Sequence, residues 1–206
     1  VEVMSSMIKT VIFDIGNVLV NFHWREMYKE KGLSGEVFDR VAKATILSPI
    51  WCEIDRGIMT YEEVLDAFVS QDKEMESEIR RVLADTHRIV TKRDFAISWI
   101  CSLKEKGLQV LVLSNFGEKL IDDCPDAMDF LSYTDGGILS YKDHLLKPEP
   151  EIYQLLLTRY GLKAEECVFI DDLQENIDAA KTQGIYGIVF KTYEQAREEL
   201  NKLLEN

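Results

Sequence analysis

An α/β fold built on a parallel sheet is what this sequence predicts, and two observations carry that expectation. Three short apolar runs, Val11 to Phe13, Val110 to Leu113 and Val168 to Ile170, each stop at a polar residue, namely Asp14, Ser114 and Asp171. Continuous apolar runs of this length suit strands buried on both faces of a parallel sheet. Helical patterns lie between and after them, and strand alternating with helix is the signature of an α/β sheet.

In chain order, Val1 to Ser6 reads as a loose leader before the first strand. From about Asn21 to Arg88 the rhythm breaks, because the pattern is helical and shows no clear buried strand. Within it Thr60 and Glu63 form a capping-box pattern, followed by Val64, Leu65, Phe68 and Val69 at helical spacing. This stretch is expected to be a small helical insertion after strand one, so that 1–20 and 89–206 form the core and 21–88 the insertion. A helix is expected from about Arg93 to Lys106, with Phe95, Trp99, Ile100 and Leu103 on one face and Gly107 as its stop. Two more, Glu149 to Tyr160 and Gln174 to Gln183, are closed by Gly161 and Gly184, and Thr192 with Gln195 opens a C-terminal helix. Neither an internal repeat nor a low-complexity segment is visible.

The 206 residues, 46% of them hydrophobic, suffice for one core with a modest insertion. With 37 acidic against 24 basic residues the formal net charge is -13, and no basic stripe offsets it. Nucleic acid and anionic membrane surfaces are therefore poor partners. Cys52, Cys101, Cys124 and Cys167 lie too far apart for a zinc or dithiol motif and read as reduced, mostly buried thiols. No apolar stretch reaches the roughly 20 residues of a membrane span, and no signal-peptide pattern opens the chain, so a cytoplasmic location is expected.

Ligands bind beyond the carboxyl ends of the strands in an open parallel sheet, where Asp14, Ser114 and Asp171 would meet. Lys147, in Leu146-Lys147-Pro148-Glu149-Pro150, adds an amine just before a proline-opened helix. Asp171 and Asp172 are adjacent carboxylates after a buried strand; they repel each other unless a cation or donors hold them, which points to a cation site. Taken singly, Asp14 also fits a turn residue, Ser114-Asn115 a helix cap, and Lys147 a solvated surface amine.

Phe13-Asp14-Ile15-Gly16-Asn17-Val18-Leu19, Leu113-Ser114-Asn115, Lys147-Pro148 and Phe169-Ile170-Asp171-Asp172 resemble, in this order, the four motifs of the haloacid dehalogenase superfamily of hydrolases. The resemblance runs from about Ile8 to Phe190. It implies a Rossmann-like core with the first strand central and a helical cap at the insertion, and is strongest to the branch that includes glucose-1-phosphate phosphatase. The expected activity is that of a phosphatase acting on a small phosphorylated metabolite, with a sugar phosphate as the nearest example. By this resemblance Asp14 attacks phosphorus and becomes an aspartyl-phosphate, which water hydrolyses. Mg²⁺ is expected on the Asp14 carboxylate, the Gly16 carbonyl, Asp171 and Asp172, with Asn176 steadying the site. Ser114, Asn115 and Lys147 are expected to hold the phosphoryl oxygens.

One position departs from the pattern. Phosphatases of this superfamily usually carry a second aspartate two residues after the nucleophile as general acid and base, and here that residue is Gly16. Without another donor, the rate should depend steeply on leaving-group acidity, favouring anomeric and acyl phosphates; His23 and Asp55 are the candidate replacements. Trp51 and Arg56, with the same two residues, are the cap positions that could set specificity, although Trp51 reads first as packing. Rival readings are a metal-free dehalogenase, a phospho-accepting signalling receiver, and a protein of this fold that binds without turnover. The acidic pair opposes the first, and motif order and length oppose the second. The sequence is silent on oligomeric state.

Overall fold

The computed structural model describes residues 7–205, so the leader expected at Val1 to Ser6 lies outside the described residues. At its centre is β1 (Thr10–Phe13), a run buried at every position. Strand β4 (Gln109–Ser114) flanks it on one side and β6 (Cys167–Asp171) on the other, both parallel to it. Outside these lie β5 (Gly137–Leu139) next to β4 and β7 (Tyr186–Val189) next to β6, completing a five-stranded parallel sheet in the order β5-β4-β1-β6-β7.

Because successive strand residues face opposite sides, the two faces build separate cores. Val11, Phe13, Val110, Val112, Val168 and Ile170 pack on one side, where helices α6 (Ala96–Glu105) and α11 (Tyr193–Leu204) contribute Trp99, Ile100 and Leu200. Ile12, Leu111, Leu113 and Phe169 pack on the other, under α9 (Pro150–Tyr160) and α10 (Gln174–Thr182) through Ile152, Tyr153, Leu156 and Ile177. The chain moves outward from β1 to β4 and β5, then crosses back to β6. That reversal leaves a crevice at the carboxyl ends of β1, β4 and β6.

Five helices lie between β1 and α6: α1 (Trp24–Glu30), α2 (Gly35–Ala44), α3 (Trp51–Arg56), α4 (Tyr61–Gln71) and α5 (Glu76–Leu83). The capping boxes expected at Thr60 and Thr192 are both formed. Strands β2 (Val20–Phe22) and β3 (Val90–Lys92), which the sequence pattern did not disclose, pair antiparallel where the chain leaves and rejoins the sheet. Edge strands β5 and β7 were equally unforeseen. Each is short and contains glycine, and each takes its register from a longer buried neighbour rather than from its own pattern. Helices α7 (Glu118–Asp123) and α8 (Ser140–Asp143) complete the set beside the crevice. Cys124 and Cys167 are buried, Cys101 is half-buried and Cys52 is exposed, all as free thiols. No helix among the described residues is long and apolar enough to cross a membrane.

Gly137 opens β5 at φ +147°, and a Cβ there would stand 2.1 Å from the Val112 carbonyl oxygen. Both the backbone conformation and the close approach exclude a side chain. Gly137→Ala should therefore destabilise the fold by roughly 3 kcal/mol or more, read from urea unfolding. Unchanged stability would contradict this packing of β5 on β4.

Candidate active site

Asp14 follows β1 directly, Ser114 ends β4 and Asp171 ends β6, so three parallel strands deliver three polar groups to one crevice. Lys147 reaches the same place from the loop before α9. Its buried Nζ lies 2.8 Å from Asp14 Oδ1 and 2.6 Å from Asp171 Oδ2. Ser114 Oγ donates to the same Asp14 oxygen at 2.6 Å. No hydrogen bond or ion pair among the described residues reaches Asp14 Oδ2.

Asp171 is fully buried and anchored from several sides. Asn176, one turn into α10, donates to both its oxygens at 3.1 and 3.0 Å, and the Leu173 N–H donates to Oδ1 at 2.7 Å. Asn17 Nδ2 donates to Asp172 Oδ2 at 3.3 Å, from a backbone at φ +56° in the tight turn after β1. Asn115, expected on the substrate, spends its side-chain amide differently. Its Nδ2 donates to the Lys147 carbonyl at 2.9 Å and its Oδ1 accepts from the Lys147 N–H at 2.8 Å, so the side chain holds the lysine loop in place.

A cavity of about 270 Å³ opens over these groups, lined by Asp14, Gly16, Ser114, Asn115, Lys147 and Asp172. Phe22, Trp51, Phe116, Leu120 and Leu173 add apolar side chains to the same lining. Trp51 does both things asked of it: its ring stacks on Phe68 at 6.1 Å and also faces the cavity. The sequence held no signal for Phe22, Phe116, Leu120 or Leu173, which reach the cavity only through folding. Of the two candidate proton donors, Asp55 on α3 lines the cavity. His23 caps α1, half-exposed, with Glu26 at 3.8 Å, and is not part of the lining. Arg56 turns away to the core, pairing with Glu149 at 2.7 Å.

Electrostatics follow from four carboxyls around one ammonium. Burial, opposed by Lys147 and aided by the Asp171 charge, pushes the Asp14 carboxyl up to about 6. For Lys147 burial disfavours charge, but Asp14 and Asp171 together outweigh it and raise its pKa. Burial and then the Asp171 charge raise Asp172 as well. Burial, aided by the Asp14 charge and opposed by the Gly117 backbone amide and Lys147, pushes Asp55 up to about 7. One oxygen each from Asp14, Asp171 and Asp172 lie within 4.8 Å of one another. An all-oxygen donor set with excess negative charge fits a hard divalent cation.

A model of the haloacid dehalogenase-like hydrolase family matches residues 8–184. The mouse acyl-CoA dehydrogenase family member 10 is 28% identical over 95% of this chain, which spans 19% of that protein's length. The sesquiterpene phosphatase astK of Aspergillus oryzae is 25% identical over 90% of this chain and 91% of its own. Among solved structures, a HAD family enzyme of Bacteroides thetaiotaomicron in complex with magnesium and inorganic phosphate superposes with a TM-score of 0.69. It is 24% identical, covering 90% of this chain and 96% of that one, and shares the fold.

The raised carboxyl at Asp55 has a stability consequence. In the unfolded chain an aspartate ionises near pH 4, whereas in the fold Asp55 keeps its proton up to about 7. The folded state thus binds more protons in that window, and stability falls as pH rises through it. Asp14 acts with the same sign up to about 6. With chelator present, Asp55→Asn should be more stable than wild type at pH 8 by on the order of 1–2 kcal/mol, and by less at pH 5. An equal difference at both pH values, read from urea unfolding, would contradict the assignment.

Proposed function

Because this chain belongs to the haloacid dehalogenase-like hydrolases, we propose that it is a magnesium-dependent phosphatase. It would cleave a small phosphorylated metabolite through an aspartyl-phosphate on Asp14. The observation that carries this reading is the anchored Asp14 carboxylate at a cavity: its Oδ1 is held by Ser114 and Lys147, and the residue lines the cavity. Phosphatase and magnesium-bound relatives support it.

Asp14, the Gly16 carbonyl, Asp171 and Asp172 would hold the ion. When bound, Mg²⁺ supplies positive charge to the phosphoryl oxygens. Ser114 and Lys147 orient the Asp14 carboxylate before substrate arrives, so little reorganisation is left for the moment of attack. The Lys147 ammonium then faces the charge gathering on the transferring group, in a buried site where one charge acts strongly. Asn176 and the Leu173 N–H keep Asp171 from turning. Asn115 fixes the backbone of Lys147, so the ammonium does not drift with its loop.

The substrate class follows from the apolar part of the cavity lining. The resemblance suggests a sugar phosphate, but Phe22, Trp51, Phe116, Leu120 and Leu173 present apolar surface that a polyhydroxylated group leaves unused. This lining favours a second reading, a phosphate ester whose organic portion is apolar or aromatic. Prenyl or aryl phosphates should then exceed hexose phosphates in kcat/KM, and Trp51→Ala should narrow the gap. A wild-type preference for hexose phosphates would restore the sugar reading.

Chelation, or Asp171→Asn, should remove nearly all phosphate release. Full activity in excess chelator would instead favour the metal-free dehalogenase chemistry. Asp14→Asn should abolish the covalent labelling that a phosphoryl donor produces in wild type, as seen by intact-protein mass after acid quench. Labelling that survives the substitution would place the nucleophile elsewhere.

A further inference from the structure

We propose that Asp55 is the proton donor to the leaving oxygen and the base for the attacking water, filling the role for which Gly16 has no side chain. The inference rests on the phosphatase reading and concerns a residue contributed by α3, outside the four motifs.

Three observations carry it. Asp55 and Asp14 line one cavity, so an ester seated on Asp14 occupies space that Asp55 borders. No ion pair among the described residues reaches Asp55, whereas Lys147 is shared by Asp14 and Asp171. And α3 is fixed on the core at the residues around Asp55. Ser140 Oγ donates to the Asp55 carbonyl at 2.5 Å and itself accepts from the Phe116 N–H at 2.9 Å. Arg56 Nη2 donates to Glu149 Oε1 at 2.7 Å, Arg56 Nη1 donates to the His144 carbonyl at 3.2 Å, and His144 Nδ1 lies 2.9 Å from the Arg56 carbonyl. Gly57 and Gly117 complete the fit, since a Cβ on either would collide with Tyr141 or Ile54. A carboxyl on so constrained a helix is held in place for proton transfer.

The groups facing Asp55 suit the task. Asp14 and Lys147 face it from the core, while Glu53 and Arg56 share its helix, Arg56 being occupied by Glu149. A carboxyl that keeps its proton to near neutral pH can donate it. In the first step the Asp14 oxygen bonds to phosphorus and the ester P–O bond breaks. Its electron pair stays on the leaving oxygen, which takes the Asp55 proton and departs as the alcohol. In the second step water attacks the aspartyl-phosphate, Asp55 takes the water proton, and the P–O bond to Asp14 breaks to give phosphate and both starting side chains.

The test is single-turnover release of the leaving group by the magnesium-loaded enzyme, comparing p-nitrophenyl phosphate with an alkyl phosphate of similar size. p-Nitrophenolate leaves without a proton; an alkoxide does not. Asp55→Asn should slow the alkyl ester by about a hundred-fold to ten-thousand-fold and the aryl ester far less. Adding Gly16→Asp to that variant should restore alkyl turnover, because a Cβ at Gly16 meets nothing within 4 Å. In wild-type protein the dependence on leaving-group acidity should be shallow. Equal loss for both esters, no loss for either, or a steep wild-type dependence that Gly16→Asp flattens would overturn the role of Asp55. Absence of turnover of any ester by wild type would overturn the phosphatase reading itself, and the inference with it.

Discussion

The buried Lys147 ammonium, shared between Asp14 and Asp171, is the interaction on which the rest of the site depends. Its two contacts, 2.8 and 2.6 Å, join the ends of β1 and β6 to the loop before α9. An ammonium buried at such depth would be strongly destabilised without both acids beside it. Much of the surrounding polar structure serves to keep this triad in register. Asn115 clamps the lysine backbone, Asn176 spans both oxygens of Asp171, and Ser114 aligns Asp14.

One ammonium does not balance the carboxyls around it. Asp14, Asp171, Asp172 and Asp55 gather near one buried ammonium; burial is the main cause of the upward shifts at Asp14, Asp55 and Asp172, and a neighbouring carboxylate adds to each. The surplus suits two demands of phosphoryl chemistry at once. On the proposed reading, the acids clustered at the strand ends would hold a hard cation, and an acid left outside that cluster would keep its proton for transfer. Location separates the two: Asp171 and Asp172 end a core strand, while Asp55 comes from a helix of the insertion.

That helix is attached more firmly to the core than a freely swinging cover would be. Its ties run through Ser140, His144 and Glu149, all on segments adjoining β5 and Lys147, so one region of the core supports both the ammonium and Asp55. The same arrangement turns Arg56 away from the cavity and leaves the apolar part of its lining to Phe22, Trp51, Phe116, Leu120 and Leu173.

What the sequence by itself determined was whatever is written locally. Buried strands declare themselves through continuous apolar runs, so β1, β4 and β6 were legible, and with them Asp14, Ser114 and Asp171 at their ends. Helix stops at Gly107, Gly161 and Gly184 and the capping boxes at Thr60 and Thr192 were equally visible, because caps and left-handed glycines act over a few residues. Tertiary structure decided the rest. Strands β2, β3, β5 and β7 are too short or too mixed to stand out alone and exist by pairing with neighbours. The use of the Asn115 amide on Lys147, the choice of Asp55 over His23 at the cavity, and the apolar wall all depend on segments tens of residues apart meeting in space. Residue type tells what a side chain can do, and long-range packing decides which group it meets.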